Sequence, residues 1–221
     1  MNILVISPHP DDETLGAGGT VRRLIAEGHK ASWLNITNMN EKYTGGGQYS
    51  PQRVAQRAEE IQQVKEETGY ALFYDLGLCP AGLENYPKQD IIGPMKAVLD
   101  EVRPEVVFLP YAHDAHSDHR IVYECAMACA KTFRAPYVKK VLCMDIISET
   151  NYTSQTFRPN LFVDISDYME DKLRIAAIYR SEIQSAPFPR SLDAIRAQAA
   201  YMGSYCCSRY AEAFHIVKEI L

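Results

Sequence analysis

Short apolar runs rich in β-branched residues alternate with amphipathic stretches over the first two-thirds of the chain, and glycine, proline or a polar cluster separates them. The alternation restricts the fold. A run apolar on both faces must be covered on both, as the strands of a parallel sheet are, and the amphipathic stretch after each run supplies the crossover helix that covers one face. The pattern predicts strands over 2–7, 31–36, 71–76, 105–109, 138–144 and 160–165, and helices over 17–27, 51–69, 91–102, 118–133, 168–183 and 192–205. Residues 214–217 close the chain as a short strand or turn. Pro51 suits a first helical turn, Gly69 ends that helix, and Arg103-Pro104 ends the next. The expected fold class is α/β: one domain over 1–221, built as a Rossmann-like, doubly wound, mainly parallel sheet flanked by helices. Residues 38–50, with Gly45-Gly46-Gly47 between Tyr43 and Tyr49, read as a loop that closes as a lid.

Topology then predicts a site. If the first four strands take the order 3-2-1-4, the first and fourth lie side by side where the winding reverses, and ligands bind at the C-terminal ends of strands there. The loop after the first strand is Ser7-Pro8-His9-Pro10-Asp11-Asp12-Glu13, and the loop after the fourth contains His113, Asp114, His116, Asp118 and His119. The two clusters are expected to face each other across one crevice.

So many charges at strand ends need partners, because a buried ionised group must be paired or must bind a metal. Catalytic zinc takes three N or O ligands and leaves a position open. His9, Asp12 and one of His116 and His119 fill that role, and two histidines with one carboxylate also accept ferrous iron. Asp11 points away from its neighbour on an extended loop and reads as the general base for the attacking water. The remaining histidine stabilises the oxyanion and protonates the leaving nitrogen. Glu13 is expected to hold His9 or cap the following helix, and Asp118 to cap its own helix and orient a histidine.

Other classes are disfavoured. A formal charge of −5 without a basic run argues against a nucleic-acid partner, and no stretch approaches a membrane span. Six cysteines in apolar surroundings, with no CxxC pair, read as reduced thiols in a cytoplasmic protein. Gly16-Ala17-Gly18-Gly19-Thr20-Val21 misses the last glycine of the dinucleotide fingerprint, and Asn35-Ile36-Thr37 offers no acidic ribose partner. The face from Met95 to Leu99 is either core or the interface of a homo-oligomer.

Pro8-His9-Pro10-Asp11-Asp12-Glu13 together with His116-Ser117-Asp118-His119 resembles the paired signature of the LmbE/PIG-L-like family of zinc-dependent N-acetylglucosamine deacetylases. The resemblance extends across most of the chain, through Arg57-Ala58-Glu59-Glu60, Lys172 to Ser181 and Tyr210-Ala211-Glu212-Ala213-Phe214. It implies a zinc site of His9, Asp12 and His119, Asp11 as base, and His116 at the oxyanion. The implied reaction is hydrolysis of the acetamide of an N-acetylated sugar or sugar conjugate to acetate and free amine. Arg57 matches the family's helix arginine and is expected either to reach the substrate or to pair with Glu60 at i, i+3. The chain departs from the family at Pro80-Ala81-Gly82-Leu83, where many relatives carry an acid before Gly-Leu, and at Glu182, where relatives often have glutamine. Alternative readings are a zinc amidase acting on a non-sugar N-acyl compound, and a non-catalytic sugar- or metal-binding module of the same fold. The rim is expected from the loops at 38–52, 78–90 and 148–160, with Tyr43, Tyr49 and Tyr86 available to stack on a sugar.

Overall fold

The computed structural model of the chain describes residues 1–39, 49–153 and 155–221. The lid reading of Gly45-Gly46-Gly47 and Tyr43 falls outside them. Seven strands form one sheet: β1 (Asn2–Ser7), β2 (Lys30–Thr37), β3 (Leu72–Leu78), β4 (Val106–Leu109), β5 (Lys140–Met144), β6 (Leu161–Asp164) and β7 (Ala211–Glu219). Their order is β3-β2-β1-β4-β5-β7-β6. The pairings among β1 to β5 are all parallel, and β7 runs antiparallel to both β5 and β6. The expected 3-2-1-4 order is therefore present, and β1 and β4 are paired from Ile3↔Val106 to Val5↔Phe108.

Alternation along the strands divides the core in two. Ile3, Val5, Trp33 and Phe108 point to the face covered by α1 (Asp12–Ala26), α2 (Pro51–Thr68), α5 (Met169–Ala176) and α6 (Leu192–Gly203). Leu4, Ile6, Leu34 and Leu109 point to the other face, under α3 (Lys88–Val102) and α4 (Ser117–Cys129). Met95 and Leu99 are fully buried in that second cluster, so the face from Met95 to Leu99 is core. No helix among the described residues is long and apolar enough to cross a membrane.

The helices expected over 118–133 and 168–183 end early, at Cys129 and Ala176, and two further elements differ more. Helix α1 begins at Asp12 rather than 17, despite the glycines that weaken helix propensity. Those glycines serve packing: a Cβ on Gly16 would lie 2.7 Å from Met144 Cβ, and one on Gly19 would lie 2.7 Å from Ile165 Cδ1. The closing segment is a nine-residue strand, β7, inserted between β5 and β6. Its charge at Glu212 masked the apolar pattern. Glu212 is buried and accepts from Lys172 Nζ at 2.6 Å and from the Gly19 and Thr20 N–H groups at 3.0 and 2.7 Å, while Lys172 also donates to the Leu15 carbonyl. One ion pair thus pins α1 to α5 and β7.

Gly16→Ala and Gly19→Ala are each expected to lower unfolding free energy by about 1–3 kcal/mol, the usual cost of overpacking. A Cβ on Gly18 would meet Thr14 Cγ2 at 3.3 Å and Lys172 Cγ at 3.6 Å, looser contacts than at Gly16 or Gly19, so Gly18→Ala is expected to cost less than either. Denaturant midpoints of the three variants check this ordering.

Candidate active site

Strand β1 delivers its loop into a tightly bonded turn. Thr37 donates to the Pro8 carbonyl from both its N–H (2.9 Å) and its hydroxyl (2.8 Å), and Arg57 Nη1 donates to the Pro10 carbonyl at 2.8 Å. Asp11, at the N-cap of α1, has φ 137°, a region that favours glycine. The turn is over-determined there: Glu13 Oε2 accepts the Asp11 N–H at 3.0 Å and Arg190 Nη1 donates to Asp11 Oδ2 at 2.7 Å. Asp12 Oδ2 folds back to accept the His9 N–H at 2.9 Å.

The loop after β4 is built in a similar way. Asp114 Oδ2 accepts the Tyr111 N–H at 3.2 Å, and His116 is the N-cap of α4, its Nδ1 accepting the Asp118 N–H at 3.1 Å. His119 then projects from the first turn of α4, fully buried.

The two loops meet as the topology predicts. His9 Nδ1 and His119 Nε2 lie 3.3 and 3.2 Å from Asp12 Oδ2, forming a trio that can hold a metal ion. The outer nitrogen of each ring is taken by a carboxylate: His9 Nε2 contacts Asp118 Oδ2 at 2.9 Å and His119 Nδ1 contacts Asp114 Oδ2 at 2.8 Å. Such pairs fix the ring so that its inner nitrogen is presented to a ligand. Two buried atoms, His119 Nε2 and Asp12 Oδ1, have no hydrogen-bond partner among the described residues. A satisfied core cluster does not leave an imidazole nitrogen and a carboxylate oxygen unmatched, and a divalent cation fits the donor set. His9, His116 and Asp118 also lie close together. Their atoms are already used, since His116 Nδ1 accepts an amide and the Asp118 carboxylate also accepts the Ala81 and Leu83 N–H groups.

Electrostatics mark the same trio. Burial opposes charge on His9, yet its bonds to Asp118 and Asp12 raise it to about 9. Burial likewise opposes charge on His119, and Asp12 and Asp114 raise it to about 10. Asp12, buried as it is, is drawn well below the usual carboxylate range by the two imidazoles. Burial and the Asp12 charge push Asp11 up, against the pull of Arg190. His116 is lowered to about 4 by burial and by the neighbouring His9 and His119 charges.

Several expectations change. Glu13 does not touch His9; besides the Asp11 amide it accepts from Thr14 and from Tyr179 Oη, so it supports the turn that carries Asp11. Asp118 orients His9 but does not cap its own helix, because His116 holds the N-cap and the carboxylate instead pins the 81–83 backbone. Of the two settings expected for Arg57, the structure shows the pair with Glu60, at 3.3 Å; Arg57 also pairs with Glu182 and lines the cleft. Tyr49 lines the cleft, whereas the Tyr86 hydroxyl accepts the Cys79 N–H.

The cleft has a volume of about 240 Å³ and opens beside Asp11 and His116, with Thr37, Ala81, Glu182 and Arg190 among its walls. Arg190 was not singled out in the sequence. It lies in an irregular loop far from either cluster, and no spacing links it to Asp11. It donates to Ser148 Oγ at 2.7 Å and Glu149 Oε1 at 2.9 Å as well as to Asp11, so the 148–149 segment reaches the cleft through it. Asp114 had a readable signal: an acid close before His116-Ser117-Asp118-His119 is well spaced to orient a histidine.

The family model described as PIG-L: GlcNAc-PI de-N-acetylase matches residues 4–130. The diacetylchitobiose deacetylase of Thermococcus kodakarensis is 27% identical, covering 99% of this chain and 84% of its own. A probable N-acetyl-alpha-D-glucosaminyl L-malate deacetylase 2 of Bacillus cereus is 24% identical, covering 83% of this chain and 84% of its own. The crystal structure of a conserved protein from Thermus thermophilus superposes with a TM-score of 0.78 at 30% identity, covering 100% of this chain and 96% of its own.

With both imidazoles raised above neutrality, binding of a divalent cation at pH 7 is expected to expel about two protons. Affinity should therefore rise with pH until about 9 to 10, where the rings deprotonate unaided. Titration calorimetry with zinc in buffers of different ionisation enthalpy measures the proton count. A count near zero at pH 7 would place the ion elsewhere.

Proposed function

The chain belongs to the PIG-L, GlcNAc-PI de-N-acetylase, family, and we propose that it is a zinc-dependent deacetylase that hydrolyses the acetamide of an N-acetylated sugar or sugar conjugate to acetate and free amine. The observation that carries this reading is the pair of buried atoms without a hydrogen-bond partner among the described residues, His119 Nε2 and Asp12 Oδ1, beside a cleft that Asp11 and His116 also line. His9, Asp12 and His119 would hold the ion, and ferrous iron suits the same donors. The ion supplies Lewis acidity to the acetyl carbonyl and to the attacking water.

The chain's own groups do the rest. Arg190 occupies Asp11 Oδ2, which leaves Oδ1 to accept a proton as water attacks the carbonyl carbon. His116 has a defined tautomer: its Nδ1 accepts an amide N–H, so the neutral ring carries its proton on Nε2. Held neutral near pH 7, it donates a hydrogen bond to the carbonyl oxygen as charge develops there. A neutral imidazole is a poor source of a proton for the leaving nitrogen. That role, expected for His116 from the sequence, passes to Asp11, which returns the proton it took as the C–N bond breaks. Asp11 thus serves first as base and then as acid, and the raised setting of its carboxyl suits both steps. The Arg57 guanidinium, bonded to Pro10, Glu60, Ser181 and Glu182, supports the base-bearing turn from behind. Free thiols throughout the described chain suit a reducing compartment, and the cytoplasm is the proposed location.

The test is acetate release by zinc-loaded protein across N-acetyl sugars, sugar conjugates and N-acetyl amino acids. Asp11→Asn is expected to lower kcat about 10²- to 10⁴-fold with zinc still bound. His116→Ala is expected to lower it about 10²- to 10³-fold, and His119→Ala to lose the metal. Release from amino acids but not sugars would replace the sugar reading with the non-sugar amidase. Unchanged turnover in Asp11→Asn would move the base elsewhere.

A further inference from the structure

The walls of the cleft hold two cations, and both are committed. Arg57 is met by Glu60 and Glu182, and Arg190 by Asp11 and Glu149. Four carboxyl groups therefore meet the two guanidinium groups, and of these Asp11, which burial pushes up, and Glu182 line the cleft. Three of the four are turned inward: the side chains of Asp11 and Glu60 are 3% exposed and that of Glu149 is 12% exposed.

Glu182 differs. Its Oε1 accepts from Arg57 and from Ser181 Oγ, but Oε2 lies 3.7 Å from Arg190 and accepts no hydrogen bond among the described residues. The side chain is 24% exposed and lines the cleft. Burial opposes its charge, yet Arg57, Ser181 and Arg190 hold it below the usual carboxylate range. A half-buried carboxylate with a free oxygen is an acceptor for a hydroxyl or an ammonium group. It also repels another anion at short range in a setting that water screens poorly.

We propose that Glu182 sets the charge of the substrate: its free oxygen binds a hydroxyl or ammonium on the part of the molecule beyond the acetamide, and its charge disfavours carboxylate- or phosphate-bearing aglycones there. The substrate class is an uncharged N-acetylated amino-sugar oligosaccharide, or one already carrying a free amine from an earlier deacetylation. This rests on the deacetylase reading for the position of the acetamide, and Glu182 acts as a specificity-determining residue rather than on the reacting bond.

Three glycosides of N-acetylglucosamine separate charge from size: the 2-aminoethyl, carboxamidomethyl and carboxymethyl forms. Their dissociation constants are measured by titration calorimetry on zinc-loaded His116→Ala protein, which keeps the Asp11–Arg190 pair, with and without Glu182→Gln, and acetate release is followed separately with the wild-type protein. Affinity is expected to fall from the cationic to the neutral to the anionic glycoside by at least about 10-fold overall. Glu182→Gln should narrow that span about 3- to 10-fold, with Glu149→Gln, behind Arg190, narrowing it less. A flat or inverted order, a span that Glu182→Gln leaves unchanged, or no binding of any glycoside overturns the proposal. The expected order without acetate release by the wild-type protein would instead overturn the deacetylase reading and leave the charge selectivity standing.

Discussion

The structure depends on the burial of three consecutive acids, Asp11, Asp12 and Glu13, at the junction of β1 and α1. Ionised carboxylates out of water are tolerated only when each finds compensation, and here each finds a different kind. Glu13 receives an amide, a hydroxyl and a phenol. Asp11 receives a guanidinium. Asp12 faces two imidazoles and still keeps one oxygen unmatched. Three neighbours in sequence thus have three chemical settings: a strut, the carboxyl proposed as the base, and an anion that faces two imidazoles in a candidate metal site.

These compensations come from distant parts of the chain, which explains why the fold is needed for the site. The histidines that face Asp12 arrive with β1 and with α4, and the β1–β4 pairing at the switch point sets their separation. Tyr179 and Arg190 arrive from the segment between α5 and α6, which is tied down by the Lys172–Glu212 pair spanning α1, α5 and β7. A buried ion pair is weak evidence of net stability, but breaking one strands a charge in the core. The pair therefore acts as a register mark, holding the segment that carries Tyr179 to Arg190 at the correct height over the site.

Much of this could be read from the sequence, for identifiable reasons. The strand order and the meeting of the two loops follow from periodicity and a general rule about switch points, so residues more than a hundred positions apart could be placed together, whereas the choice of His119 over His116 came from the family resemblance. What escaped had no periodic or local signal. Helix α1 starts early because close packing against Met144 and Ile165 outweighs the poor helix propensity of glycine. Strand β7 was hidden because Glu212 looks like a surface residue until Lys172 is known to face it. Arg190 lies in a proline-containing loop where a single arginine has no partner at any fixed spacing. Asp118 was expected both to cap its helix and to orient a histidine; it contacts His9 and the 81–83 backbone, while a histidine takes the cap position.

The division of the chain follows the division of its chemistry. The residues matched by the family model, 4–130, contain every member of the His9–Asp12–His119 trio and the carboxylates that orient it. Glu182 and Arg190, which form the far wall of the cleft, lie beyond that span. Metal-ligand geometry tolerates little variation, because a shift of one ligand alters the whole coordination shell. A wall that contacts only the remote part of a substrate can exchange glutamine for glutamate, or an acid for Ala81, without disturbing that shell. The cost of such an exchange is borne locally: the extra carboxylate at Glu182 persists in the half-buried wall because Arg57, already required beneath the Pro10 carbonyl, has a donor to give it. On the proposed role of Glu182, substrate charge can be reset on this scaffold while the candidate metal site stays fixed.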